Sequence, residues 1–529
     1  MKNHQTVSMR AASEFANQLN VHVNHLNRAV KETTQKTTSQ IIAELILQES
    51  KILLRHSAWS VSEITFALGF TEVTHFNIFF KKAYSVESFQ IQKWLSLRQQ
   101  SAEFNNLIYQ KKSFMKSLTV VLLSALLNFQ FTNAQQISEW RPENRTGVSA
   151  ETGLLKSWPA KGPTLLWTNL ELTKGNSSVS FGNNTIYITG IKDSADVLYA
   201  LDMNGKMLWQ TEMGRAWNES FPESRATPTV EGNRVYTCSG LGDIACIDGI
   251  TGKIIWSYKA SEMNKGTYGN WGIAESLLID GDKLYFTAGG PETMTIAINK
   301  ASGENIWKSA SLNDKPGYVS PILIENAGKK VIVNVSMNYV FAVDASNGDI
   351  LWKVAHEKPA DFKWDLIKCV TPLYHNGKVY VTGGYDNGGM MVNIADDGKS
   401  ANVAWTDSVL DVHHGGVVLV DGYIYGSNWL NNSTGNWCCI DWNTGKKMWE
   451  EKWNCKGSII AAEGMLYIYD EKKGNVGLLK INPEKFDLVS SFQVTQGDSG
   501  PFWAHPVIHN GILYLRHSNA LMAYDIKAK

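Results

Sequence analysis

Leu198-Tyr199-Ala200-Leu201-Asp202-Met203-Asn204-Gly205-Lys206-Met207-Leu208-Trp209 decides the fold, because its pattern returns along the chain. A small residue, an apolar residue and Asp are followed by a Gly, and an aromatic residue stands four places after it. Copies stand at Cys246-Ile247-Asp248 with Gly252 and Trp256, at Ala297-Ile298-Asn299 with Gly303 and Trp307, at Ala342-Val343-Asp344 with Gly348 and Trp352, and at Cys439-Ile440-Asp441 with Gly445 and Trp449. Looser copies are read at Ile394-Ala395-Asp396 with Trp405 and at Lys480-Ile481-Asn482 with Phe492. An eighth begins at Ala523-Tyr524-Asp525 and lacks its Trp.

The Asp/Asn positions are separated by 41 to 52 residues, the period of a four-stranded propeller blade. Each unit has an upstream strand pair, as in 226–230 then 233–236, where alternating β-branched and aromatic residues bounded by turn residues read as hairpins. The missing Trp comes from the other end of the chain. Leu165-Leu166-Trp167-Thr168 matches Ile254-Ile255-Trp256-Ser257, so this strand is expected to complete the last blade and close the ring.

In this pattern the small residue lets blades approach, the Gly permits a positive φ, and the Trp wedges between blades while its indole N–H seeks a backbone acceptor. The pattern resembles the Trp-docking motif of pyrroloquinoline quinone (PQQ) type propeller repeats over about residues 140–529. The resemblance implies an all-β eight-bladed propeller and no particular activity. Quinoprotein dehydrogenases share these repeats with noncatalytic propellers such as outer-membrane assembly lipoproteins.

The full chain has 529 residues, too many for one domain, and zero formal net charge that is unevenly spread. Up to Lys112 there are 13 Lys and Arg against 8 Glu, the rest of the chain carries the opposite excess, and all six Cys lie beyond residue 230. The two parts are suited to different surroundings.

Residues 10–82 read as a small all-α unit built of two helix-turn-helix pairs. The first has helices over 12–19 and 22–30 around Asn20, and the second opens with the capping box Ser60-Val61-Ser62-Glu63 and turns at Gly69 before a helix over 72–82. An amphipathic helix over 39–54 bridges them. The run Ser62-Glu63-Ile64, Ala67-Leu68-Gly69-Phe70-Thr71-Glu72, Phe76 and Phe80-Lys81-Lys82 resembles the signature of the AraC/XylS family of bacterial transcription regulators.

That resemblance implies sequence-specific DNA binding through two recognition helices. Their outward polar positions are Asn24, His25, Asn27 and Arg28 on the first, and Glu72, Thr74, His75 and Asn77 on the second. Arg or Asn can pair bidentately with guanine or adenine, while Lys31, Lys81 and Lys82 hold phosphates. Two departures stand out. Ser85-Val86-Glu87-Ser88-Phe89-Gln90 lacks the Pro and Arg with which the family motif closes, and no effector or receiver domain is expected ahead of the unit.

The expected division is a DNA-binding domain at 1–92, a linker at 93–114, an internal signal peptide or membrane anchor at 115–134 and the propeller at 135–529. Met115-Lys116, an apolar run over 118–127 and Thr132-Asn133-Ala134 have the form of a secretory signal peptide, too short to span a bilayer. Residues 1–114 thus read as cytoplasmic and 135–529 as exported. Two joined reading frames would reconcile this conflict, as would a membrane-anchored sensor-regulator.

In a propeller the starts of the innermost strands converge on a funnel. They are read as Arg225, Glu275, Ser320, Thr371, His413 with His414, Lys456 and His505, with Trp217, Trp271, Trp364 and Trp503 just before several of them. Such a ring suits a small anionic or sugar-like ligand, with a protein partner as the alternative. No catalytic residue and no metal site is expected, and His413 and His414, as neighbours on a strand, are expected to face opposite ways. PQQ with calcium would need six to eight oxygen ligands, and no acidic cluster supplies them. Cys438-Cys439 resembles the vicinal disulfide of some quinoprotein dehydrogenases, yet Cys439 and Cys246 hold the small-residue slot. The propeller is therefore expected to bind and not to catalyse, with a PQQ-dependent oxidoreductase as the alternative.

Overall fold

A computed structural model describes residues 12–18, 21–34, 36–56, 60–83, 137–141, 144–356 and 367–528. The chain divides into two compact units, Met1–Thr132 and Asn133–Lys529. Asn20, the altered segment 85–90, the linker, the expected export segment 115–134 and Trp364 lie outside the described residues. Among the described residues no helix is long and apolar enough to cross a membrane.

In the first unit, helices α1 (Ala12–Gln18), α2 (Val23–Thr34), α3 (Thr38–His56), α4 (Val61–Ala67) and α5 (Val73–Ala83) follow the expected double helix-turn-helix order. Ser60 Oγ accepts from the Glu63 N–H at 3.2 Å while Glu63 Oε2 accepts from the Ser60 N–H at 2.6 Å, a closed capping box. Gly69 has φ +76°, which lets α5 turn away from α4. Ile46, Ile64, Leu68, Phe70, Phe76 and Phe80 form the buried core that fixes this angle.

The second unit is a ring of eight sheets. Each blade is a four-stranded meander, and the eighth joins Val507–His509, Ile512–His517 and Ala520–Asp525 to Thr164–Asn169, the expected closing strand. Trp167 stands opposite Ala523, as Trp209 stands opposite Ala200 and Trp256 opposite Cys246. In six blades a Tyr on the second strand meets the docking Trp at 5.7 to 6.3 Å, for example Tyr187 with Trp209. The Gly of the next blade's hairpin lies beneath that Trp. A Cβ on Gly348, whose φ is +86°, would stand 2.5 Å from Trp307, so both conformation and space exclude a side chain.

Two looser copies sit elsewhere than expected. Trp405 pairs with Met391, so the fifth blade's motif is Met391-Val392-Asn393 with a longer hairpin; Ile394 ends that strand opposite Ala401, and Ala395 and Asp396 begin the turn that follows. In the seventh, Leu478 faces Ser490 and Phe492 faces Val476, so the motif is Leu478-Leu479-Lys480 and its aromatic slot is empty. Trp158, from before the first blade, meets Tyr467 at 5.9 Å and Phe492 at 5.3 Å and supplies the missing indole.

The acceptors expected for the indole N–H groups are present in part. Trp167, Trp256 and Trp449 donate to Met203, Lys300 and Asn482 carbonyls at 2.9 to 3.0 Å. Trp209 and Trp307 have no partner, because Tyr187 and Tyr285 hydroxyls donate to the corresponding carbonyls of Gly249 and Ala345. All six cysteines are free thiols, and Cys246 and Cys439 pair across the strand with Trp256 and Trp449.

Residues 137–141 and 144–149 add strands inside the ring. Ile137–Ser138 pairs with the innermost strand Thr229–Glu231, and Val148–Ser149 runs parallel to the innermost strand Gly457–Ala462. Between them, Arg145 donates to the carbonyls of Ser276, Leu277 and Pro321 at 2.8 to 3.0 Å and to Glu139 at 2.8 Å. Arg141 donates to the carbonyls of Ile459, Thr146 and Val417. This strap ties blades on several sides of the channel.

Candidate ligand-binding funnel and nucleic-acid interface

On the first unit, Asn24, His25, Arg28 and Lys31 of α2 are exposed and Asn27 is half-buried, while Glu72, Thr74, His75 and Asn77 at the start of α5 are exposed. The side chains of Lys81 and Lys82 lie outside the described residues. The second helix of each pair therefore presents a polar face, the arrangement that carries base and phosphate contacts in helix-turn-helix proteins.

In the propeller the innermost strands leave a cavity of about 400 Å³. Its walls are aromatic, from Trp140, Phe221, Trp271, Tyr318, Tyr385 and Trp503. Of the expected residues, Arg225, Ser320, His413, His414 and His505 line it together with Trp271 and Trp503. The others stand behind the wall. Glu275 is 2% exposed, accepts from the Thr287 N–H at 3.2 Å, and has its carboxyl pushed up to about 8 by burial. Thr371 donates to the Ser320 carbonyl, and Trp217 packs edge-on against Tyr268. Lys456 is 1% exposed and lies 2.7 Å from Glu471 Oε1.

Glu471 was not singled out by sequence, although hairpin register carried the signal. Gly457 pairs with Asp470, which sets Lys456 opposite Glu471 at the open end of that hairpin. Trp140 and Arg141 were missed because they come from the strap, which carries no repeat motif. Tyr385 has φ +65° and Asp386 +63°; the Asp386 N–H donates to Asp411 Oδ2 at 2.8 Å, and Tyr385 meets His413 edge-on at 4.9 Å.

His413 and His414 do not face opposite ways. They sit in a bend ahead of Val417–Val420, so strand alternation does not apply, and their rings lie 3.4 Å apart on the cavity wall. Burial holds the His413 imidazole well below its usual range and His414 at about 3, with Lys456 adding to both shifts. His505 is held at about 3 by burial and by Arg141. Because Arg141 has only donors and lies 3.1 Å from His505 Nδ1, the His505 proton is on Nε2, which donates to the His414 carbonyl at 3.0 Å. Burial also lowers Arg225, whose guanidinium donates to the carbonyls of Glu223 and Phe221 at 3.0 and 2.6 Å. Cys369 on the wall is pushed up to about 12 by burial, so its thiol stays protonated.

The donor set does not fit a calcium-bound quinone. Among the described lining residues Glu471 is the one carboxylate, and Lys456 already neutralises it. Asn176, Asn432, Ser276 and Ser320 add neutral oxygens but no charge to hold Ca²⁺ beside Arg225 and Lys472. The cysteines at 438 and 439 are fully buried and absent from this wall.

Residues 193–451 match the family model described as outer membrane protein assembly factor BamB, and residues 15–87 match the helix-turn-helix domain model. A tetrathionate hydrolase of Acidithiobacillus ferrooxidans is 26% identical over 261 residues, 44% of this chain and 48% of the relative. BamB of Yersinia pestis is 21% identical over 282 residues, 51% of this chain and 67% of the relative. The chain thus spans about half the length of the first relative and two thirds of the second. Quinohemoprotein alcohol dehydrogenase ADHIIG from Pseudomonas putida HK5 shares the fold at a TM-score of 0.50 and 12% identity, covering 73% of this chain and 79% of that one. Residues 15–87 are accordingly an AraC-type helix-turn-helix segment, and the second unit is a PQQ-like, BamB-like eight-bladed propeller.

Proposed function

We propose that the propeller is a binding module for a small anion, held in the aromatic-walled cavity. The observation that carries this reading is the charge balance of the wall. Its single described carboxylate, Glu471, is paired with Lys456, which leaves Arg225 and Lys472 facing a cavity otherwise lined by aromatic rings, neutral imidazoles and uncharged side chains such as Asn176, Ser276, Ser320 and Asn432. Indole faces add sites for a flat or sugar-like group. The relative named for tetrathionate has an anionic substrate, which makes tetrathionate a rational first probe. Quenching of intrinsic tryptophan fluorescence by tetrathionate or glucuronate, saturating at one site per chain, tests the reading; linear unsaturable quenching by both contradicts it.

The helix-turn-helix segment is read as a sequence-specific DNA-binding unit through Arg28, Asn24, Asn27, Thr74 and Asn77, with Lys31, Lys81 and Lys82 on phosphates. Similarity to BamB supports a protein partner for the propeller as a second reading. A cytoplasmic DNA-binding segment and an exported propeller fit two joined reading frames better than one anchored sensor, because 115–134 has the form of a cleavable signal. Mass spectrometry of the native protein tests this: a mature chain starting at Gln135 supports cleavage, and an intact chain of 529 residues excludes it.

A further inference from the structure

We propose that His413, His414 and Glu471 form a transition-metal site on the cavity wall, suited to Zn²⁺ or Cu²⁺ and open toward the cavity on its remaining coordination position. The proposal goes beyond the anion-binding reading and stands without it, since metal uptake is measured with no organic ligand present.

One potential ligand atom from each of the three side chains lies within 4.8 Å of the other two. Glu471 Oε1 is taken by Lys456 at 2.7 Å, but Oε2 points to His414 Nδ1 at 4.0 Å. That distance is too long for a hydrogen bond. With metal–ligand bonds of about 2.0 to 2.2 Å, two ligands of one ion stand roughly 3.3 to 4 Å apart, so small rotations bring the set to bonding geometry.

A second observation points to the same place. The Nδ1 atoms of both His413 and His414 are buried and have no hydrogen-bond partner, and His413 is only 8% exposed. Buried imidazole nitrogens are ordinarily paired, because leaving one unpaired forfeits its hydration without return. An ion between the two rings and Glu471 would satisfy them.

The surroundings hold the set in place. His505 Nε2 donates to the His414 carbonyl at 3.0 Å, and Trp503 packs against the His414 ring at 4.7 Å. Gly384 lies against His413, where a Cβ would stand 3.1 to 3.4 Å from it, and Lys456 orients the carboxylate. Such supporting contacts are what fix ligands around a metal.

The donor types choose the metal. Two imidazoles and one carboxylate oxygen suit Zn²⁺ or Cu²⁺, whereas Ca²⁺ and Mg²⁺ require a cage of oxygens. Because Lys456 offsets Glu471, a bound dication keeps its charge and favours water or an anion from the cavity as its further ligand. Arg225 and Lys456 oppose the cation and weaken affinity without changing its ligands.

The test is isothermal titration of the full chain, stripped with EDTA and dialysed, with ZnCl2 and separately with CaCl2. The expected result is one Zn²⁺ per chain, weakened at least tenfold in His413→Asn and in His414→Gln, with no heat from CaCl2. Loading Cu²⁺ should give nitrogen hyperfine splitting in the electron paramagnetic resonance spectrum that changes in each variant. His414 is partly exposed, so His414→Gln keeps the test readable if the buried substitution fails to fold. No uptake by the wild type overturns the proposal, as does binding of equal stoichiometry and affinity in a folded His414→Gln variant.

Discussion

Trp167 donates its indole N–H to the Met203 carbonyl at 3.0 Å, and its ring lies 2.5 Å from where a Cβ on Gly205 would stand. Trp167 belongs to the closing strand of the eighth blade and Gly205 to the first blade's hairpin, so this contact is the seam of the ring. Trp167→Ala is expected to cost about 2 to 3 kcal/mol, below the range for fully buried Trp because the side chain is only half-buried. Leu166→Ala, at a side chain 47% exposed, should cost under about 0.5 kcal/mol. Denaturant unfolding of the full chain, followed by near-ultraviolet circular dichroism, compares them; equal midpoints for the two variants contradict closure through this strand.

Ring closure was legible in the sequence because Leu165 to Thr168 repeats the local grammar of Ile254 to Ser257, and that grammar encodes backbone pairing. The capping box at Ser60 and the turn at Gly69 were legible for the same reason, since local hydrogen bonding and φ are set by neighbouring residues. Contacts between distant segments were not. Trp158 filling the seventh blade's empty aromatic slot, and Arg141 reaching His505, join residues more than 300 positions apart that share no motif. The funnel was half legible, because strand starts converge in any propeller. Whether Lys456 faces the cavity or Glu471 depends on hairpin register, which composition does not reveal.

Stability should fall with rising pH in a defined window. Burial raises the Glu275 carboxyl from its ordinary value to about 8, so between about pH 4.5 and 8 the folded protein keeps a proton that the unfolded chain has released. The unfolded state then binds fewer protons, and stability declines as pH rises, by up to about 1.4 kcal/mol per pH unit for this one group, levelling off above about 8. Glu275→Gln is expected to flatten that part of the profile in urea melts. An unchanged slope in the variant shows that Glu275 titrates alike in both states.

The Lys456 and Glu471 pair is 2% and 6% exposed in its side chains. Removing one partner strands a buried charge, so Lys456→Met alone should destabilise by about 3 to 5 kcal/mol. Lys456→Met with Glu471→Leu should recover most of that loss, because the double variant buries no charge. A double-mutant cycle from denaturant midpoints checks this, and strictly additive losses would refute the pairing.

DNA binding by the first unit should be weak, since its positive excess is small and its closing motif is altered, and it should weaken further with salt in proportion to the few phosphates contacted. In gel retardation with the full chain, Arg28→Ala should reduce preference between duplex sequences, whereas Lys31→Ala should weaken binding to all of them alike. Tight, selective binding at physiological salt would instead mark a working one-chain regulator.

The propeller's cavity as an anion site is tested most directly by isothermal titration of the full chain with tetrathionate and with glucuronate, for the wild type and for Arg225→Gln and Trp271→Ala. The expected result is saturable one-site binding of at least one of these anions. That binding should weaken at least tenfold in Arg225→Gln and by a smaller factor in Trp271→Ala, and PQQ with Ca²⁺ should leave the melting temperature unshifted. Flat titrations with both anions, together with a calcium-dependent rise in melting temperature on adding PQQ and reduction of a redox dye by an alcohol or sugar, would contradict it.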